Sequence, residues 1–132
     1  MPQFRIVEIA DVLGVSDDTV RRWIDTGDLT AVSDARGRRV VDGVSAARLA
    51  QERARPLPDP VAVGRATRNR FVGLVTRVDH GAVVCRVEML CGNSPIEAVV
   101  STEAVTELGL EPGTLAVATV KDTQVIIERP PA

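Results

Sequence analysis

At 132 residues the chain has room for two small domains or one medium one. Its 16 basic and 18 acidic residues leave a formal charge of −2, which excludes a chain-wide positive field as the means of attracting a polyanion. Two cysteines and one histidine are too few for a disulfide framework or a zinc cluster, and no long apolar run, basic leader or lipidation motif directs the chain to a membrane, so we expect a soluble cytoplasmic protein without a side-chain metal site.

In chain order, Ile6, Ile9, Ala10 and Leu13 recur at helical spacing and stop at Gly14, which predicts a first short helix. A second is predicted from Asp17 to Asp25. The Ser16 hydroxyl caps it, Asp17 and Asp18 suit the positive end of its dipole, and Gly27 ends it. Val20, Trp23 and Ile24 fall at i, i+3 and i+4 and form one packing stripe, with Trp23 as a buried anchor. Thr19, Arg21 and Arg22 point elsewhere. Helix, glycine turn, helix is the helix-turn-helix layout.

Leu29 to Val32 and Val40–Val41 then flank DARGRR (Asp34 to Arg39), a predicted β-hairpin wing with Arg36, Arg38 and Arg39 near its tip. GVSAARLAQERA (Gly43 to Ala54) predicts a third amphipathic helix with Ala46, Leu49 and Ala50 inward. Residues 1–55 thus read as a winged domain close to the lower size limit for folding alone. Nine arginines meet nine acids within it, so contact with DNA must come from local clusters and from two copies on paired half-sites.

The stretch RIVEIADVLGVSDDTVRRWIDTGDLTAVSDARGRRV (Arg5 to Val40) resembles the winged helix-turn-helix of the MerR and excisionase families. The resemblance implies double-stranded DNA as a partner, with the second helix in the major groove. Ser16, Thr19, Arg21 and Arg22 would lie on base edges or phosphates there, and Arg36, Arg38 and Arg39 would grip the flank. The alternative is a winged domain turned to protein contacts.

RPLPDPVAVG (Arg55 to Gly64) places prolines too often for a helix and reads as a stiff extended linker over 56–64. Beyond it the apolar period switches to two. Strands are predicted at Phe71–Arg77, Ala82–Met89, Ile96–Val100, Leu115–Val120 and Gln124–Glu128, with a helix over STEAVTEL (Ser101 to Leu108) before the fourth. Cys85, inside an alternating strand, reads as a small core residue. The chain as a whole is therefore α+β, a winged helix-turn-helix followed by an OB-like five-stranded β-barrel over 65–132.

Two segments, ATRNRFVGLVTRVDHGAVVCRVEML and AVVSTEAVTELGLEPGTLAVATVKDTQVIIE, resemble the Mop domain, the TOBE-type barrel of molybdate-binding, molbindin-like proteins. That resemblance implies a molybdate or tungstate ligand, held in pockets where barrels meet and exchange strands, and hence a homo-oligomer. A tetrahedral dianion needs fixed hydrogen-bond donors and one or two cations rather than acid–base machinery. By the resemblance Arg68 and Asn69 match one half of the pocket motif, with Thr67 as a neighbouring hydroxyl where Ala66 stands in place of the family's serine. Lys121 matches the motif lysine, Thr123 follows as a donor, and Ser101 offers its hydroxyl and N–H at a helix start. Asp122 replaces a small residue, and its orientation decides whether it repels the ligand or faces solvent.

Together these readings describe a DNA-binding transcriptional regulator that senses molybdate or tungstate. The alternatives are an oxyanion storage or buffering protein, and a constitutive DNA binder whose barrel only oligomerises. No catalytic constellation is visible, so no enzyme is expected.

Overall fold

The computed structural model describes residues 2–55, 58–61 and 69–131. The chain divides into two units, Met1–Pro56 and Leu57–Ala132.

The first unit runs β1 (Gln3–Phe4), α1 (Ile6–Leu13), α2 (Asp17–Thr26), β2 (Ala31–Ser33), β3 (Arg39–Asp42) and α3 (Gly43–Arg53). Local chemistry sets each boundary. Ser16 Oγ accepts the Thr19 N–H at 3.1 Å and caps α2, and an Asp42 carboxylate oxygen does the same for α3 from Ser45 N–H at 3.1 Å. Gly27 ends α2 at φ +86°, a left-handed conformation in which its N–H reaches Ile24 O at 3.2 Å.

The strands form an antiparallel sheet in the order β1-β3-β2. The β2–β3 pair is the expected wing, and its turn is built by Asp34, whose side chain accepts N–H bonds from Arg36 and Arg38 at 2.9 and 2.8 Å. Strand β1 was not predicted, because two residues are too few to show a period. Ile9 and Ala10 of α1, Val20 of α2, Leu29, Val41 of β3, and Ala46 and Leu49 of α3 make one core.

The second unit contains β4 (Arg70–Asp79), β5 (Val84–Cys91), β6 (Ser94–Ser101), α4 (Thr102–Leu108) and β7 (Leu115–Thr119). Its antiparallel sheet, ordered β6-β5-β4-β7, curls into a half-barrel, and Val105 of α4 packs into the concave side with Val75, Cys85, Val87 and Met89. Cys85 is a core residue, 1% exposed. A Cβ at Gly73 would stand 2.2 Å from Leu90 O, so β4 and β5 approach there only because the side chain is missing. The α+β class is as expected, but the described residues contain four of the five predicted strands. In place of a strand at Gln124–Glu128 there is a 3-10 turn, Asp122–Gln124, followed by irregular backbone with Ile126 and Ile127 84% and 90% exposed. Alternating apolar residues make a strand only when a partner accepts their hydrogen bonds. Among the described residues Gln124–Glu128 pair with no strand, and the outer edge of β7 stays open.

Ahead of the sheet, Asp59 is tied to the start of β4 by a two-pronged ion pair. Arg70 Nε and Nη2 donate to its two carboxylate oxygens at 2.5 and 3.2 Å, with side chains only 11% and 18% exposed. The Arg70 guanidinium, and next the Val61 N–H, hold the Asp59 carboxyl below its ordinary value of 3.8.

Three stability outcomes follow. Leu29→Ala empties a site 2% exposed and should cost the first unit about 2–5 kcal/mol in urea unfolding, enough to threaten a domain of this size. Gly73→Ala should lower the stability of the second unit by about 1–3 kcal/mol, because the added methyl meets backbone. Because the folded-state value of Asp59 is depressed, its contribution is present above pH 3.8 and is lost as pH falls through the lower folded value. Asp59→Asn should therefore melt lower than the wild type near neutral pH, and the difference should shrink in acid.

Candidate functional site

The side chains expected to carry the chemistry fall into two groups. The first surrounds α2. Val20 is fully buried, and Trp23 and Ile24 pack on the same core, which turns Arg21 and Arg22 outward into solvent. Trp23 packs on the core as its spacing predicted but is only partly buried, not the buried anchor expected. The Arg53 guanidinium covers its ring at 5.4 Å from the centroid and is itself held by Asp28 at 3.4 Å, so the indole face is occupied. Ser16 is engaged as the helix cap, and its Oγ also lies 2.9 Å from Thr19 Oγ1.

The arginines of this face are not equivalent. Arg21 meets Asp18 at 3.3 Å, Arg38 meets Asp34 at 3.1 Å and Arg39 meets Asp25 at 3.8 Å. Among the described residues Arg22 and Arg36 have no side-chain ion pair. The Arg38 N–H above all, then the Arg36 N–H and the Arg38 guanidinium, hold the Asp34 carboxyl below its ordinary value. The carboxylate partners were missed from sequence. The Asp18–Arg21 spacing is visible there as an i,i+3 pair, whereas the Asp25–Arg39 pair joins two separate elements.

The second group lies at the open ends of the half-barrel. Val120 N–H donates to Asn69 O at 2.9 Å, which brings Lys121, Asp122 and Thr123 beside the start of β4. Asn69 Nδ2 donates to Asp122 Oδ1 at 2.9 Å, so the carboxylate that departs from the Mop pattern is bound to the asparagine that matches it. Ser101 is elsewhere. It ends β6 opposite Val84, at the edge where β4 finishes, whereas Asn69 precedes the edge where β4 starts. Ten residues of β4 separate the two edges, about 30 Å along the strand. Ser101 Oγ accepts the Ala104 N–H at 3.1 Å as the cap of α4. Thr67 and Arg68 lie outside the described residues.

Among the described residues there is no group of three or more His, Cys, Asp or Glu side chains placed to hold a metal ion, and no helix is long and apolar enough to cross a membrane.

Comparison with known families matches residues 4–44 to a helix-turn-helix domain and residues 65–127 to a TOBE domain. Among solved structures, the chain is similar to MopII from Clostridium pasteurianum, with 31% identity over 50% of this chain and 100% of that one, at a TM-score of 0.48. It is also similar to a molybdate-binding protein from Sporomusa ovata, with 26% identity over 47% and 92% of the two chains and a TM-score of 0.46. The cytoplasmic molybdate-binding protein ModG, in a form with molybdate bound, shares 38% identity over 46% of this chain and 45% of its own, at a TM-score of 0.42. Comparison with curated proteins found no match. On these matches the chain carries a helix-turn-helix domain followed by a TOBE domain.

Proposed function

We propose that the protein is a cytoplasmic DNA-binding regulator whose TOBE domain binds a tetrahedral oxyanion, molybdate or tungstate, and assembles the chain into a homo-oligomer. The observation that carries this reading is the joining, in one chain, of a helix-turn-helix domain with outward-facing arginines to a domain similar to molybdate-binding proteins. Residues 1–55 would read double-stranded DNA, 56–64 would join the two parts, and 65–132 would hold the ligand. The role is one of binding rather than catalysis.

On the DNA side, α2 would enter the major groove with Thr19, Arg21 and Arg22, and the wing would place Arg36, Arg38 and Arg39 on flanking phosphates. On the oxyanion side, Lys121 supplies a cation, and Asn69, Thr123, Ser101, Thr67 and Arg68 supply donors. Asp122 is engaged by Asn69, which reduces its repulsion of a dianion without removing it. Since Ser101 and Lys121 belong to opposite edges of one sheet, a pocket using both takes them from different copies.

Association of copies has its own support. Leu90, Leu74 and Leu115 lie side by side across β5, β4 and β7, each about half exposed, a row of apolar surface that a monomer would leave in water. Ligand control then requires that the oxyanion bind the DNA-competent assembly with a different affinity from the incompetent one.

The test is a gel shift on the DNA upstream of the gene, with and without molybdate, alongside calorimetric titration of molybdate. The expected result is a shift whose midpoint moves with the ligand. Heat of binding without any shift would favour a storage protein, and a shift indifferent to ligand would favour a constitutive binder. Lys121→Met should weaken the oxyanion about tenfold to a hundredfold while leaving unliganded DNA binding unchanged, from the usual strength of a charge-assisted bond. Arg22→Ala should weaken DNA binding about tenfold or more and leave the oxyanion heat unchanged.

A further inference from the structure

Helix α2 carries three carboxylates, Asp17, Asp18 and Asp25, against two guanidiniums, so the element directed at a polyanion has a formal charge of −1. Two of these carboxylates sit on arginines of the DNA face. Asp18 lies 3.3 Å from Arg21, and Asp25 reaches across to Arg39 of β3 at 3.8 Å.

Neither has structural work of the kind Asp34 does. Asp34 accepts two backbone N–H bonds and builds the wing turn. Asp18 and Asp25 accept none among the described residues, and their side chains are 96% and 74% exposed. Asp18 shares the favourable first turn with Asp17, but Asp25 stands in the last turn, where the helix dipole disfavours a negative charge. Helix stability does not explain Asp25.

We propose that Asp18 and Asp25 are specificity-determining residues of the DNA interface, internal counter-ions that suppress sequence-independent binding. The inference rests on the DNA-binding reading above. A phosphate approaching Arg21 or Arg39 must displace a carboxylate already in place and is repelled by it over a Debye length of about 10 Å at 0.1 M salt. A base edge is different. Cytosine and adenine present amino donors in the major groove that a carboxylate accepts, whereas a phosphate presents only acceptors. The penalty therefore falls hardest on complexes made of phosphate contacts alone, and it widens the ratio of specific to non-specific affinity.

The experiment compares wild type with Asp18→Asn, Asp25→Asn and the double variant, by fluorescence anisotropy over a range of salt. The probes are a random-sequence duplex and a duplex enriched from a random pool by the wild-type protein. Circular dichroism checks that each variant is folded; Asp25→Asn removes a charge from an unfavourable position and should fold as well as the wild type. Affinity for the random duplex should rise about threefold in each single variant and about tenfold in the double. The slope of log affinity against log salt should steepen by about one unit for each arginine released to a phosphate. The enriched duplex should gain less, so the specificity ratio falls. Binding to the random duplex by the variants but not the wild type would support the proposal as well. Unchanged random-duplex affinity and slope, with the enriched duplex still bound, would overturn it and leave the DNA-binding reading standing. No binding of any duplex by any variant would overturn both.

Discussion

Val20 has no exposed surface, and that single burial sets how α2 is turned. At 100° per residue, a helix that buries Val20 and packs Trp23 and Ile24 must send Arg21 and Arg22 to the opposite side. The same core takes Leu29 just past the helix and Val41 of β3, and Leu29 N–H donates to Trp23 O at 3.0 Å. The wing is thereby placed against the end of α2, near enough for Arg39 to meet Asp25. A small domain cannot rearrange one of these contacts without disturbing the others, because it has a single core to draw on.

The second unit depends in a comparable way on β4, which lies inside the sheet and pairs on both sides. Gly73 lets it approach β5 closely, and Leu74 aligns Leu90 and Leu115 across three strands. The start of β4 is also where separate segments converge: Arg70 grips Asp59 and donates to Thr119 Oγ1 at 3.2 Å, while its neighbour Asn69 holds Asp122. The half-barrel leaves β6 and β7 as edges, and edges with apolar neighbours invite another chain. Lys121 and Ser101 lie at opposite ends of this sheet, so the proposed oxyanion site would draw on more than one copy.

Electrostatically the helix-turn-helix unit is restrained. Of the five arginines proposed as DNA contacts, three face carboxylates of the same chain. On the proposed reading, such an interface would gain little from charge alone and would rely on the geometry that two copies on paired half-sites provide.

The sequence by itself determined the elements whose causes are local. Ser16, Gly14 and Gly27 bracket α2, and apolar spacing at i, i+3 and i+4 named Val20, Trp23 and Ile24 as its packed face. Alternation located β4 to β7 and placed Cys85 inside, because capping, helical period and strand pleat all act within a few residues. Tertiary structure decided what depends on a partner far along the chain. It paired Arg39 with Asp25, tied Asp59 to Arg70, turned Asp122 toward Asn69, and set Ser101 at the far end of the sheet from Lys121. It also left Val125 to Glu128 without the strand its alternation suggested. Periodicity records which face of a segment is apolar, but hydrogen bonds and ion pairs between segments require that two of them meet, and only the packed chain brings them together.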